Sequence, residues 1–207
     1  MGYNFLKAVL ILVTMEFFEK IRNRFPFLTE EKLGQILALS TLVVLEKGDV
    51  FIEAGARTRK VALVLNGLMR NYVINDEGEQ VTVVFSTELQ GIAPYTTILL
   101  DEPASETTEA VEPSALLVFN YDEFKALTEV DIDVLRVYTD MMQWTLINAI
   151  KRIEDFTQKN PEERYLRLLE LHGDLINRAP LKYLASYLGI TTFSLSRIRK
   201  RLAQNRN

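Results

Sequence analysis

Cysteine is absent from the 207 residues, and histidine occurs once, at His172. The first absence excludes a disulfide framework, a thiolate nucleophile and any cysteine-held zinc or iron–sulfur cluster. The second removes multi-histidine metal sites and every nucleophilic scheme that needs a histidine beside a serine. An enzyme is therefore not expected, and neither is a metal or cofactor. Apolar runs of about 18 residues, the length a membrane span requires, are also missing. A soluble, cytoplasmic protein without a membrane partner is expected, and the lack of cysteine fits a reducing interior. Residues 5–14 resemble a short signal-peptide core, but charges follow and no small-residue cleavage site precedes Arg22, so secretion is not expected. Met15 offers an alternative start to Met1, because residues 15–27 already read as a charged amphipathic helix.

Basic residues are scarce where acidic ones are common. The net charge of −4 divides into +6 for residues 151–207 and −10 for residues 1–150. From Leu175 onward there are seven basic residues and no acidic one. A basic end on an acidic chain is the electrostatic footprint of a nucleic-acid module.

Between these extremes the periodicity changes twice. Two helices open the chain, one ending near Arg24 before Pro26 and the next starting at Thr29, with Glu30 and Glu31 favouring its N-terminal dipole. Short strands at 43–45, 50–53, 61–65, 69–74 and 81–85 follow, separated by glycine turns, and 116–120 returns as a strand. Residues 90–113 read as irregular. Closely spaced strands with such turns predict an antiparallel roll.

A long helix over about 131–158 carries Leu135, Thr139, Met142, Leu146, Ala149, Ile153 and Phe156 at alternating spacings of four and three, a seam suited to a partner helix. Val134, Tyr138, Met141, Ile147 and Ile150 widen the stripe and would pack on the roll. The alternative is a monomeric core helix. Asn160-Pro161-Glu162-Glu163 then reads as a capped helix start, with the helix running to about Asn177. His172 falls among Tyr165, Leu168, Leu169 and Ile176 on its apolar side, which predicts a packed histidine, not a ligand.

Residues 181–201 have the spacing of two steeply crossing helices. Leu184, Leu188, Ile190, Leu195 and Ile198 form a candidate core, Ala185 is small at the crossing, and Gly189 sits where a left-handed backbone would turn the chain. Thr191 or Thr192 can cap the second helix. Thr192, Ser194 and Arg197 face outward as candidate base contacts, and Phe193 can touch a thymine methyl. Lys182, Ser196, Arg199, Lys200 and Arg201 are candidate phosphate contacts.

A roll, a dimer-type helix and a C-terminal helix-turn-helix together resemble the Crp/Fnr family of bacterial transcription regulators, most specifically through Leu184-Ala-Ser-Tyr-Leu-Gly-Ile-Thr191 and Leu195-Ser-Arg-Ile-Arg-Lys200. The resemblance implies an α+β protein: a cupin-like antiparallel roll of the cyclic-nucleotide-binding type (1–130), a dimerisation helix (131–158) and a small all-α DNA-binding domain (159–207). It also implies a homodimer on near-palindromic double-stranded DNA, Arg197 reading a guanine, and RNA polymerase as a candidate partner. A cupin-like enzyme would need several histidines in the roll.

Three departures stand out. The family's nucleotide-binding members carry Gly-Glu for the ribose and, about ten residues later, Arg-Ser or Arg-Thr for the cyclic phosphate. Here the chain reads Gly91-Ile92 and Ala104-Ser-Glu-Thr-Thr108. No lysine or arginine occurs from Asn71 to Phe124, whereas Glu102, Glu106, Glu109 and Glu112 do. A buried phosphate there would lack a counter-charge, so cyclic AMP and cyclic GMP are not expected as ligands and the effector is unassigned. The cysteine-held sensor cluster of other branches is excluded. At the other end, six residues after Arg201 leave no room for a flanking strand pair, and Phe193 stands where many relatives have Glu. A sensing roll with a vestigial head is the remaining alternative.

Overall fold

The structure, a computed structural model, describes residues 17–204; residues 5–14 and Met15 lie outside the described residues. Helix α1 covers residues 17–24 and α2 Glu30–Ala38, whose N-cap Thr29 accepts from the Lys32 N–H. Eight strands follow: β1 Ser40–Leu45, β2 Val50–Ile52, β3 Lys60–Asn66, β4 Met69–Ile74, β5 Gln80–Ser86, β6 Gly91–Ile92, β7 Thr107–Ala110 and β8 Ser114–Asn120. They form two antiparallel four-stranded sheets, ordered β1-β8-β3-β6 and β2-β7-β4-β5.

The core between the sheets is built from Ile52, Val64, Met69, Ile92, Leu116 and Val118 with their neighbours. Strand β8 is covered on both faces, by this core within and by helices outside, which accounts for its continuous apolar run in place of alternation. The β3–β4 turn requires glycine: Gly67 has φ +106°, and a Cβ there would lie 2.7 Å from the Ser114 Cα.

Residues 90–113, read as irregular, contain structure. Helix α3 (Tyr95–Leu100) follows β6, and β7 is buried at all four positions. Helix α4 (Tyr121–Val130) was also unanticipated, although Asn120 caps it through the Asp122 and Glu123 N–H groups. Helix α5 (Ile132–Gln158) starts on an Asp131 cap and lays Val134 and Val137 on the roll. Ile147 and Ile150, expected to face the roll, are exposed instead, because the roll-facing positions of this half of α5 are Thr145, Asn148 and Arg152.

Asn160 and Glu163 form the capping box of α6 (Pro161–Leu171). This helix does not reach Asn177: it stops at His172, whose ψ of 53° and the following Gly173 redirect the chain into a separate turn, α7 (Leu175–Arg178). Helices α8 (Leu181–Tyr187) and α9 (Thr192–Gln204) complete the C-terminal helical head.

Candidate nucleic-acid interface

Helices α8 and α9 meet through residues 188–191. Leu184, Ala185, Leu188, Leu195 and Ile198 are buried between them and α6, with Ile190 partly buried. Gly189 adopts φ +67°, and a Cβ at this position would also strike the Phe156 ring at 2.8 Å. Of the two candidate caps, Thr191 is the one used: its Oγ1 accepts from the Ser194 N–H at 3.1 Å.

The predicted outer face divides into two groups. Lys182, Thr191, Thr192, Ser196, Arg197, Lys200 and Arg201 are exposed, and Phe193 is 69% exposed. Ser194 is half-buried beside the Thr191 cap, its Oγ 3.0 Å from the Thr191 Oγ1. Arg197 lies 5.8 Å from the Phe193 ring centroid, and Arg201 pairs with Glu162. Arg199 is placed differently. It is half-buried, lies over the Tyr165 ring and approaches the Ile176 carbonyl at 3.5 Å, so it contributes to the head's packing.

The seam residues on α5 also divide. Leu146 and Ile153 are 62% and 65% exposed, and Leu135, Thr139, Ala149 and Phe156 are exposed too. Met142 is half-buried at a slot between α5 and the roll. Phe156 packs on Gly189 and between the guanidinium groups of Arg152 and Arg164, so its ring serves the head as well as the seam.

The head is not tethered loosely. Leu68, Phe85 and Val111 of the roll are part of the head's own hydrophobic cluster. The Phe85 and Tyr187 rings stand 5.2 Å apart, and the Thr82 N–H donates to the Ser186 Oγ. Arg178 of α7 reaches both Glu112, at 2.6 Å, and Glu88, at 2.9 Å, on the roll. Burial alone would raise the Glu88 carboxyl, but the bonds from Arg178 and the Gly67 N–H bring it below its ordinary value. A depressed carboxylate stabilises the fold above its unfolded pKa of about 4.3 and loses that contribution as pH falls through the folded value. The wild type should therefore lose more of its urea midpoint than Glu88→Gln as pH falls from about 5 to about 2.5, a window that spans the unfolded and the depressed folded values. Equal losses would show that this contact carries no linkage.

Arg70, one residue before the stretch without basic residues, was missed by the sequence reading. Its side chain is fully buried on β4, bonded to Glu109 at 2.7 Å and to Thr82 and Gln80, with the Tyr183 ring of the head 3.5 Å from its guanidinium carbon. Two of the four acids counted against a phosphate are thus neutralised, Glu109 by Arg70 and Glu112 by Arg178. Glu106 is the acid that faces a cavity of about 310 Å³ between β5 and α5, where Asn71 holds it at 2.8 Å. Trp144, Phe85 and Tyr95 supply aromatic walls, and Arg152 closes the end toward the head. Ile92, standing where the resembled nucleotide binders have glutamate, points into the sheet core.

Residues 42–131, most of the roll, match the family model described as the cyclic nucleotide-binding domain. Solved structures share the architecture of nearly the whole chain. FixK2 from Bradyrhizobium japonicum matches with a TM-score of 0.69 at 19% identity, over 80% of this chain and 85% of that one. A protein from Eubacterium rectale described as a transcriptional regulator of the Crp/Fnr family matches at TM-score 0.66 and 16% identity, over 87% and 86%. The c-di-GMP-responsive global regulator CLP of Xanthomonas campestris gives 0.65 and 13%, over 84% and 91%. No curated protein matches the sequence. At these identities the likeness establishes the fold. Among the described residues no helix is long and apolar enough to cross a membrane.

Proposed function

We propose that the protein is a homodimeric transcriptional regulator that inserts α9 into the DNA major groove. The observation carrying this reading is the free N-terminal turn of α9. It is capped by Thr191, backed by the Leu184–Leu195 core, and faced by exposed Thr192, Phe193, Ser196 and Arg197 beside Lys200. Such a turn presents unpaired backbone N–H groups and a basic side-chain face to a polyanion. Arg197 reads a guanine through its N7 and O6, while Lys182, Ser196, Lys200 and Arg201 position the helix on phosphates. Two heads related by the α5 seam would address half-sites about one helical turn, roughly 34 Å, apart. RNA polymerase is a further partner under this reading.

The roll does not take cyclic AMP or cyclic GMP in this account. Ile92 cannot accept from a ribose hydroxyl, and the segment from Asp101 to Glu106 supplies acids and no basic residue of its own, the neighbouring Arg57 being engaged by Asp101. Calorimetry with either nucleotide should show no micromolar binding. An effector of other chemistry would occupy the cavity between β5 and α5, where it would touch the long helix directly.

Arg197→Ala should cost about 1–3 kcal/mol on a selected operator and relax preference at one base pair. Lys200→Ala should weaken binding to all sequences alike and flatten the salt dependence by about one ion. Selection from random duplexes followed by titration of both variants checks this. Unchanged binding by both would move the interface elsewhere and favour a sensing roll with a vestigial head.

A further inference from the structure

We propose that a recess at the junction of α5, α6 and the α8–α9 turn binds one phosphoryl group of a small molecule. The recess has a volume of about 70 Å³. At about 10–15 Å³ of such volume per water, that is room for a few waters or for one tetrahedral anion.

Its walls are unusually one-signed. Lys151 and Arg152 enter from α5, Arg164 and Arg167 from α6, and Asp155 is the one carboxylate among the lining residues. That carboxylate is already engaged by Lys159 at 2.8 Å and by Arg167 at 3.4 Å. Lys151, Arg152 and Arg164 form no ion pair among the described residues.

Neutral partners hold the two arginines in place. Arg152 donates to the Tyr187 and Thr82 carbonyls at 3.1 and 3.3 Å, and Arg164 to those of Leu188 and Lys159 at 3.1 and 2.7 Å. Their guanidinium carbons lie 4.9 and 4.7 Å from the Phe156 centroid. Burial, with the Arg164 charge adding to it, lowers the Arg152 pKa despite opposing contributions from Tyr187 and Asp155. Folding thus gathers four cations at a fixed spacing around a single carboxylate, Asp155, which Lys159 and Arg167 already engage. A phosphoryl group accepts the remaining N–H donors of preorganised arginines in the geometry they favour. Leu168, Leu171 and Leu188 supply the apolar part of the lining.

Inorganic pyrophosphate is the probe. Thermal unfolding of the full chain without DNA would be followed at constant ionic strength, with sodium chloride as the matched control. Ligand at ten times its Kd multiplies the folded-to-unfolded ratio by about eleven, a rise of about 3–6 °C for a chain of this size. The rise should saturate, fall in Lys151→Gln and vanish in Lys151→Glu, since the half-buried Lys151 amine makes no hydrogen bond or ion pair that folding needs. An equal rise in chloride, or one unchanged in Lys151→Glu, overturns the proposal. So does no rise at all. If Lys151→Gln also flattens the salt dependence of DNA binding, the recess belongs to the DNA footprint and the small-molecule proposal falls.

Discussion

Arg70→Ala is expected to destabilise the protein by about 3–5 kcal/mol, read as a lowered urea midpoint by circular dichroism. The arginine has no exposed surface, and its removal leaves Glu109 buried without its cation. It also strips a hydrogen-bond donor from Thr82 and Gln80 and a cation from the faces of Tyr72 and Tyr183. The effect should belong mostly to the orphaned charge, not to lost attraction. Arg70→Met combined with Glu109→Leu should therefore recover most of the stability, because replacing both partners by apolar groups removes the desolvation cost along with the bond. A single substitution costing under about 1 kcal/mol would mean that water reaches Glu109 and that the pair is not sealed.

Leu146→Glu should convert dimers to monomers in light scattering at micromolar concentration. The side chain stands 62% exposed on a helix face that also presents Ile147, Ile150 and Ile153, a stripe whose burial needs a partner surface. Two carboxylates brought together across a two-fold axis repel, and each loses its water. Affinity for a full palindrome should fall roughly a hundredfold to ten-thousandfold as the second half-site ceases to be an intramolecular contact, while half-site affinity stays near the wild-type value. If the variant remains dimeric, the seam is not the interface, and the exposed stripe on α5 needs another cover.

What the sequence made legible was local. The Asn160 capping box, the Gly189 turn, the α8–α9 core and most strand positions follow from interactions spanning a few residues, and each lies where spacing and cap chemistry put it. What it hid depended on contacts between distant segments. Strand β7, Thr-Thr-Glu-Ala, has no apolar alternation, yet it is buried throughout because Arg70 arrives from β4 to neutralise Glu109. A count of basic residues that began at Asn71 could not see that cation. The orientation of α5 was half legible. Val134 met the roll as expected, but farther along the helix Arg152 turned inward to the Thr82 carbonyl of the roll and the Tyr187 carbonyl of the head, while Asn148 bonds back to the Trp144 carbonyl of its own helix. The break at His172 had a signal in Gly173 that apolar spacing over Tyr165, Leu168 and Ile176 concealed. His172 is half-buried at the end of α6, where burial lowers its pKa.

The merging of Leu68, Phe85 and Val111 into the head's cluster bears on how the molecule breathes. A head with a private core could open and close on its own clock, and its backbone amides would exchange with solvent long before those of the sheets. With Leu68 and Val111 sealed beneath α6 to α8, opening the head strips the roll as well, so the two should report one opening free energy. Amides of Leu184 and Leu188 should then exchange in step with those of Val64 and Leu116, and a molecule that behaves so offers proteases no early foothold between its roll and its head.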